Sequence, residues 1–455
     1  MSPRRDILSP LPSDLPAAEQ VARLPAGFRA GSTTAGIKST GKPDLSIVAS
    51  LRGPLPVAAT FTSNRFASAP VLLDRAHLGA TDPDGGGGYG WVSGLLANSG
   101  CSNAATGPDG LADQRRLAEA LGAALGTDAE HTLAVATGLI GTRLPLERML
   151  PAIASLAADG LASDDASLAA VAEALRTTDS RAKWATVRLE LPDADGRALT
   201  VTVSGVAKGV GMIHPRMATM LSYVLTDAAA EPATLHAILR PVVARTWDQL
   251  SVDGDTSTSD TVFLVASGAS GAAPVTPDSP AGDSFRRAVE AVARSLARQQ
   301  AADGEGATSL ITCQVSGARD DAEARAAARA VVRSNLVKAA VHGRDPNWGR
   351  IADALGNAQL ADAAVLEAAG LTPTDAARRG GTLVDLDPDK VSIAIAGTLV
   401  FAGLPVAFDP QAVNGAMAAP DVLIRIDLGQ GEGSGEAFGC DLSEEYVIEN
   451  AEYST

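Results

Sequence analysis

Apolar residues recur every four positions through 111–125, where Leu117, Leu121 and Leu125 fall on one face, and a helical period also runs through 168–175, 285–298 and 321–332. These spacings predict amphipathic helices packed on a shared core. Strands are predicted at 187–191, at 310–315, at 391–400, at 422–428, and where Leu199, Val201 and Val203 alternate with polar neighbours. Short strands and helices alternate without a strict βαβ repeat, which points to a mixed α/β fold. Between them, 82–90 and 267–282 read as surface loops from their glycine, proline and serine content, and proline-rich 1–25 as a loose extension.

The segment 206–227 follows neither period. Two glycines and a proline stand just before an apolar run containing Ala218-Thr219, which predicts bent backbone entering a buried helix or strand.

Composition narrows the functional classes. Hydrophobic residues make up 46% and charged residues 20% of 455 positions, enough for a large globular core. A formal net charge of −16 repels a phosphate backbone, so nucleic acid is not expected as a partner. Three cysteines without CxxC or Cys/His spacing fit a reducing cytoplasm, and no apolar run is long enough to span a membrane. Asp253, Asp255 and Asp260 resemble a divalent-metal loop but lack the downstream glutamate of an EF-hand, so turns and hydrogen bonds are expected there rather than a metal. Gly85 to Gly88 precede no Gly-Lys-Ser/Thr, so they carry no phosphate-loop reading.

With five histidines and no Gly-x-Ser-x-Gly elbow, a conventional hydrolytic triad is hard to build. A threonine hydroxyl activated by its own α-amino group, whose pKa is about 8, is a chemically sound substitute. That amine exists only once the preceding peptide bond is cut.

The stretch 207–227 resembles the processing segment of the ornithine acetyltransferase family. The resemblance extends in order through Gly27-Phe-Arg-Ala30, Thr62-Ser-Asn-Arg65, Asn98-Ser-Gly100, Ala136-Thr-Gly-Leu-Ile-Gly141, Thr177-Thr-Asp179, Val252-Asp-Gly-Asp-Thr-Ser-Thr258, Asp303-Gly-Glu-Gly306, Asp345-Pro-Asn-Trp-Gly-Arg350 and Gly439-Cys-Asp-Leu442. It implies an αββα sandwich core of the type shared with self-processing aminopeptidases, with a smaller C-terminal α/β portion from about residue 310. It implies cleavage between Ala218 and Thr219 into chains 1–218 and 219–455, with 26–218 forming the ordered part of the first, and an α2β2 assembly of the two.

The same resemblance supplies roles. Thr219 would be the nucleophile, taking acetyl from N-acetylornithine and passing it to glutamate in a ping-pong reaction. Thr137 and Gly138 would meet the oxyanion, and Thr177, Lys208, Thr219, Glu305, Asn450 and Thr455 would hold the amino-acid substrate, Lys208 toward a carboxylate and Glu305 toward an ammonium. No cofactor is implied. Acetyl-CoA use divides the family, and no phosphate-binding motif for it is evident. Arg350 would offer an anion contact without a catalytic role.

Cys101-Ser102, Ser180, Arg216, Ser309 and Asn335 depart from the family's usual residues. They leave open a paralogue acting on related amino acids, an aminopeptidase or amidase on the same fold, and an uncleaved binding protein.

Overall fold

The computed structural model describes residues 14–214 and 220–451. In chain order its strands are β1 (Phe28–Thr33), β2 (Leu45–Ser50), β3 (Leu55–Phe61), β4 (Tyr89–Val92), β5 (Gly94–Cys101), β6 (Thr132–Leu139), β7 (Lys183–Pro192), β8 (Ala198–Lys208), β9 (Leu221–Thr226), β10 (Leu250–Ser251), β11 (Thr261–Ala266), β12 (Leu310–Ala318), β13 (Ser392–Ile395), β14 (Thr398–Ala402), β15 (Leu404–Pro405), β16 (Asp421–Asp427) and β17 (Gly433–Cys440). The helices are α1 (Ala69–Thr81), α2 (Gly107–Leu125), α3 (Leu146–Asp159), α4 (Asp165–Leu175), α5 (Pro232–Arg245), α6 (Pro280–Ala302), α7 (Asp321–Arg333), α8 (Asn335–His342), α9 (Trp348–Gly356), α10 (Ala363–Ala368), α11 (Pro373–Arg379), α12 (Pro410–Ala416) and α13 (Glu444–Ala451).

Two sheets stack because their central strands, β2 and β5 in one and β9 and β11 in the other, are buried on both faces. One has the order β4-β3-β11-β9-β8-β7, the other β1-β2-β5-β6. Between them, Leu95 and Ala97 of β5 and Leu133 and Val135 of β6 share a core with Tyr223 and Leu225 of β9 and Phe263 and Val265 of β11. Alternation sends the neighbouring residues outward. Ile47 and Leu96 pack under Leu117 and Leu121 of α2 and Met149 and Ile153 of α3. On the opposite outer face, Val201, Val203, Val224 and Leu264 meet Leu235 and Leu239 of α5 and Phe285, Val292 and Leu296 of α6. The result is the expected αββα sandwich, with α1 and α4 lending Val71, Leu78, Leu168 and Val171 to the inter-sheet core.

The C-terminal lobe is built on a third sheet, β10-β17-β12-β16-β13-β14-β15, whose core packs against α7, α8 and α9. Its first strand, β10, comes from the sandwich half of the chain and lies parallel to β17. That pairing ties the lobe to the sandwich.

Local signals explain several boundaries. Asp164, Ser279 and Asp320 accept hydrogen bonds from Ser167, Gly282 and Glu323 N–H at the starts of α4, α6 and α7, each cap contributing about 1 kcal/mol. Gly126, at φ 71°, ends α2 in the left-handed conformation.

Three expectations are revised. The strand expected at 391–400 is two antiparallel strands, β13 and β14, turned by Ala396 and Gly397 with φ of 47° and 89°. The 267–282 loop is not wholly at the surface, since Ala272 and Val275 are buried in the sandwich core. Within the extension, the described part from residue 14 is tied down: Glu19 and Thr186 exchange two backbone hydrogen bonds of 2.8 Å.

Candidate active site

The segment 206–227 contains the end of β8, a turn at 209–214 and the whole of β9, whose six residues are all buried. Beside the turn, a cavity of about 280 Å³ is lined by Thr137, Gly138, Thr177, Lys208, Glu305 and Asn450. These are all the expected site residues that fall within the described chain. Ala218, Thr219 and Thr455 lie outside the described residues, as does Arg216. Met220, the residue after Thr219, lines the cavity too.

Thr137 and Gly138 sit near the end of β6, beside the parallel strand β5, in a register that sets Gly138 against Gly100. Both glycines have positive φ, 125° and 111°, and a Cβ on Gly138 would stand 2.3 Å from the Gly100 carbonyl carbon. The motifs Asn98-Ser-Gly100 and Ala136-Thr-Gly138 are therefore two halves of one close approach. It leaves the Gly138 backbone uncovered by a side chain of its own at the cavity wall.

Lys208, buried at the end of β8, donates to Thr137 Oγ1 at 3.3 Å and lies 3.9 Å from Asp179. Glu305 is also buried and accepts hydrogen bonds from Thr178 Oγ1 at 2.7 Å and from Asn450 Nδ2 at 2.8 Å. Gly211 permits this arrangement, because a Cβ there would approach Glu305 Oε2 to 2.2 Å. One small cavity thus presents an ammonium, a carboxylate, hydroxyls and backbone groups, a set suited to a zwitterion.

Beneath it runs a buried ionic network. Lys183 bridges Asp179 and Asp303 at 2.7 Å to each, with all three side chains out of contact with solvent or nearly so. Burial alone would raise the Asp179 carboxyl, but the Lys183 and Lys208 ammonium groups and the Gly209 N–H overcome it and hold that carboxyl well below the usual range. Asp179 also accepts from Thr177 N–H at 3.1 Å, and Ser180 N–H donates to Asp303 at 3.1 Å. Thr177-Thr-Asp179 and Asp303-Gly-Glu-Gly306 are thereby joined across the site.

Other motif residues act as fasteners. Thr62 Oγ1 donates to Ser257 O at 2.7 Å and Asn64 Nδ2 to Thr256 O at 2.9 Å, holding the loop after β10. Asp253 in that loop accepts from Ile213 N–H at 2.8 Å and from Met212 N–H. Asp441 accepts from Thr308 and Ser309 N–H at 2.7 and 2.8 Å and lies 2.8 Å from His342 Nδ1. Among the described residues, no group of three or more His, Cys, Asp or Glu could hold a metal ion.

Sequence reasoning missed several participants. Thr178 and Lys338 stood inside or beside recognised runs without a role, whereas Lys183 carried no signal at all. Lys338 is buried and donates to Ser251 O at 3.2 Å and Cys440 O at 2.8 Å. Arg350 does not line the cavity; it donates to Leu336 O at 2.8 Å, and Asn347 of the same motif caps α9. A larger cleft of about 610 Å³ between the sandwich and the C-terminal lobe contains none of the expected site residues that are described.

The departures from the family pattern have local partners. Cys101 Sγ contacts Thr142 O at 3.2 Å, Ser102 Oγ donates to Leu139 O at 2.8 Å, Ser180 Oγ meets Asp303, and Ser309 meets Asp441 through its backbone. Asn335 is the first residue of α8, after the Ser334 cap. Of these, only Ser102 lines the cavity.

The ArgJ family model matches residues 29–455. A relative from Thermus thermophilus, described as arginine biosynthesis bifunctional protein ArgJ, is 40% identical over 435 residues, covering 95% of this chain and 99% of its own. A relative of the same description from Deinococcus radiodurans is 40% identical over 432 residues, covering 95% and 98%. The crystal structure of arginine biosynthesis bifunctional protein argJ from Bacillus halodurans aligns at 35% identity with a TM-score of 0.44, covering 50% of this chain and 97% of that one.

Proposed function

The chain belongs to the ArgJ family, and on that premise we propose that it is a self-cleaving acetyltransferase carrying acetyl from N-acetylornithine to glutamate through an ester on Thr219. The observation that carries this reading is the convergence of Thr137, Gly138, Thr177, Lys208, Glu305 and Asn450, far apart in sequence, on one cavity that also includes Met220.

Cleavage before Thr219 frees an α-amino group able to take the hydroxyl proton as the oxygen attacks the acetyl carbonyl. The Thr137 hydroxyl and Gly138 N–H would receive the developing oxyanion, a donor of this kind being worth about 3 kcal/mol. Collapse expels ornithine and leaves acetyl-Thr219. Glutamate then enters, its amine attacks the ester, and N-acetylglutamate departs with the Thr219 hydroxyl restored. Lys208 pairs with the α-carboxylate that both substrates carry, and Glu305 with the distal ammonium that ornithine has and glutamate lacks.

No cofactor takes part. Acetyl-CoA would serve as a second donor, with the CoA thiol as leaving group, a reading that the word bifunctional in the relatives' names supports. The two chains stay together as α2β2, and the protein works in the cytoplasm, where its buried free cysteines remain reduced. Among the described residues no helix is long and apolar enough to cross a membrane.

Denaturing mass spectrometry of the purified protein is expected to show two chains meeting at Ala218/Thr219, and Thr219→Ala a single intact one. The wild type should convert N-acetylornithine and glutamate to ornithine and N-acetylglutamate, while the variant should not. Free acetate without N-acetylglutamate would instead identify a hydrolase.

A further inference from the structure

The chain approaches residues 215–219 through a turn its own side chains do not favour. Met212 has φ 54°, left-handed backbone that a methionine adopts only when its surroundings hold it there. What holds it is the loop after β10. Asp253 accepts from two consecutive backbone N–H groups, Met212 and Ile213. Val252 N–H donates to Ile213 O at 2.7 Å, Thr256 Oγ1 donates to His214 O at 2.8 Å, and His214 Nδ1 lies 3.0 Å from Ser251 Oγ. Every described residue from 212 to 214 is therefore bonded to the segment 251–256.

The loop itself has little freedom. β10 pairs with β17, buried Lys338 grips Ser251 O, and Thr62 and Asn64 fasten the loop from the sandwich side. Tyr446 OH of α13 adds a contact to Asp253 at 3.4 Å. Together these bonds hold the backbone up to His214, five residues before Thr219 in the sequence.

We propose that Asp253 is a positioning residue for the cleavage before Thr219. Its carboxylate holds the Met212 and Ile213 N–H groups, and the C-terminal lobe backs it through Lys338. The inference rests on the self-cleavage reading. In that step the Thr219 oxygen adds to the Ala218 carbonyl, the C–N bond breaks as the nitrogen gains the proton lost by the hydroxyl, and an ester forms. Water then hydrolyses the ester, leaving Ala218 as a carboxylate and Thr219 with a free amine and hydroxyl. Asp253 exchanges no proton; it sets the geometry.

The test follows cleavage of freshly synthesised full-length chain by denaturing mass spectrometry, with thermal melts of the same samples. Asp253→Asn keeps the size but turns one acceptor into a donor facing an N–H. It should slow cleavage about tenfold or more and accumulate a precursor that still melts cooperatively, because small misplacements of reacting groups cost rate steeply. Thr256→Val, which loses only the bond to His214 O, should slow cleavage by about threefold. Asp255→Asn, which leaves every hydrogen bond of the frame in place, should cleave like the wild type. Wild-type cleavage rates in Asp253→Asn overturn the proposal, and if that variant does not fold, wild-type rates in Thr256→Val do so. A wild-type chain that stays whole removes the self-cleavage reading and the role of Asp253 with it, an outcome distinct from a cut wild type beside an equally fast variant.

Discussion

Glycine determines where backbone can approach backbone or a charged group around this cavity. Gly138 and Gly100 face each other with positive φ, and Gly211 leaves room for the Glu305 carboxylate. Gly138→Ala combines a disfavoured backbone conformation with a clash against backbone atoms. It is expected to lose on the order of 3 kcal/mol of stability, read as a lower denaturation midpoint, together with transfer activity. The sequence displayed these glycines inside recognisable runs, and the residues the resemblance named, Thr137, Gly138, Thr177, Lys208, Glu305 and Asn450, line one cavity. The partner of each glycine was hidden, because contact across two strands leaves no trace in either run alone. Asp253 was legible as a turn former, but the N–H groups it holds lie some 40 residues away.

Between elements, the principal fastener is Lys183 at the start of β7, which joins the turn after α4 to the turn after α6. Lys183→Met keeps the volume and leaves two buried carboxylates facing each other. Its expected cost is about 3–5 kcal/mol, measurable by urea unfolding. The acid side carries a second signature. The folded Asp179 carboxyl is held below its unfolded value of 3.8, so its contribution is complete above that pH and is lost as pH falls through the folded value. Without Lys183 that loss should begin at a higher pH. The amphipathic periods marked α2, α4, α6 and α7 well, since each of these helices buries one face on a sheet. The β13–β14 hairpin escaped because Ala396-Gly397 is a weak turn signal inside an apolar stretch, and 267–282 has a loop's composition but packs Val275 into the core. Lys183 gave no warning because its partner Asp303 is 120 residues away.

Across the whole molecule, composition allowed an α/β protein but could not choose among its architectures; the stacking of two sheets rested on the resemblance, and the buried faces bear it out. The sheet order carries a further consequence. β9 lies between β8 and β11, and β11 lies beside β3. A cut before Thr219 gives β3 and β8 to one chain and the inserted pair β9–β11 to the other. The precursor can fold as one molecule, but the mature protein must then refold as an encounter between two. Refolding of the cut protein from denaturant should therefore speed up with protein concentration, while the Thr219→Ala precursor should refold at a concentration-independent rate. Such a cut would change the reaction order of folding and make the assembled state persist because its way back is slow.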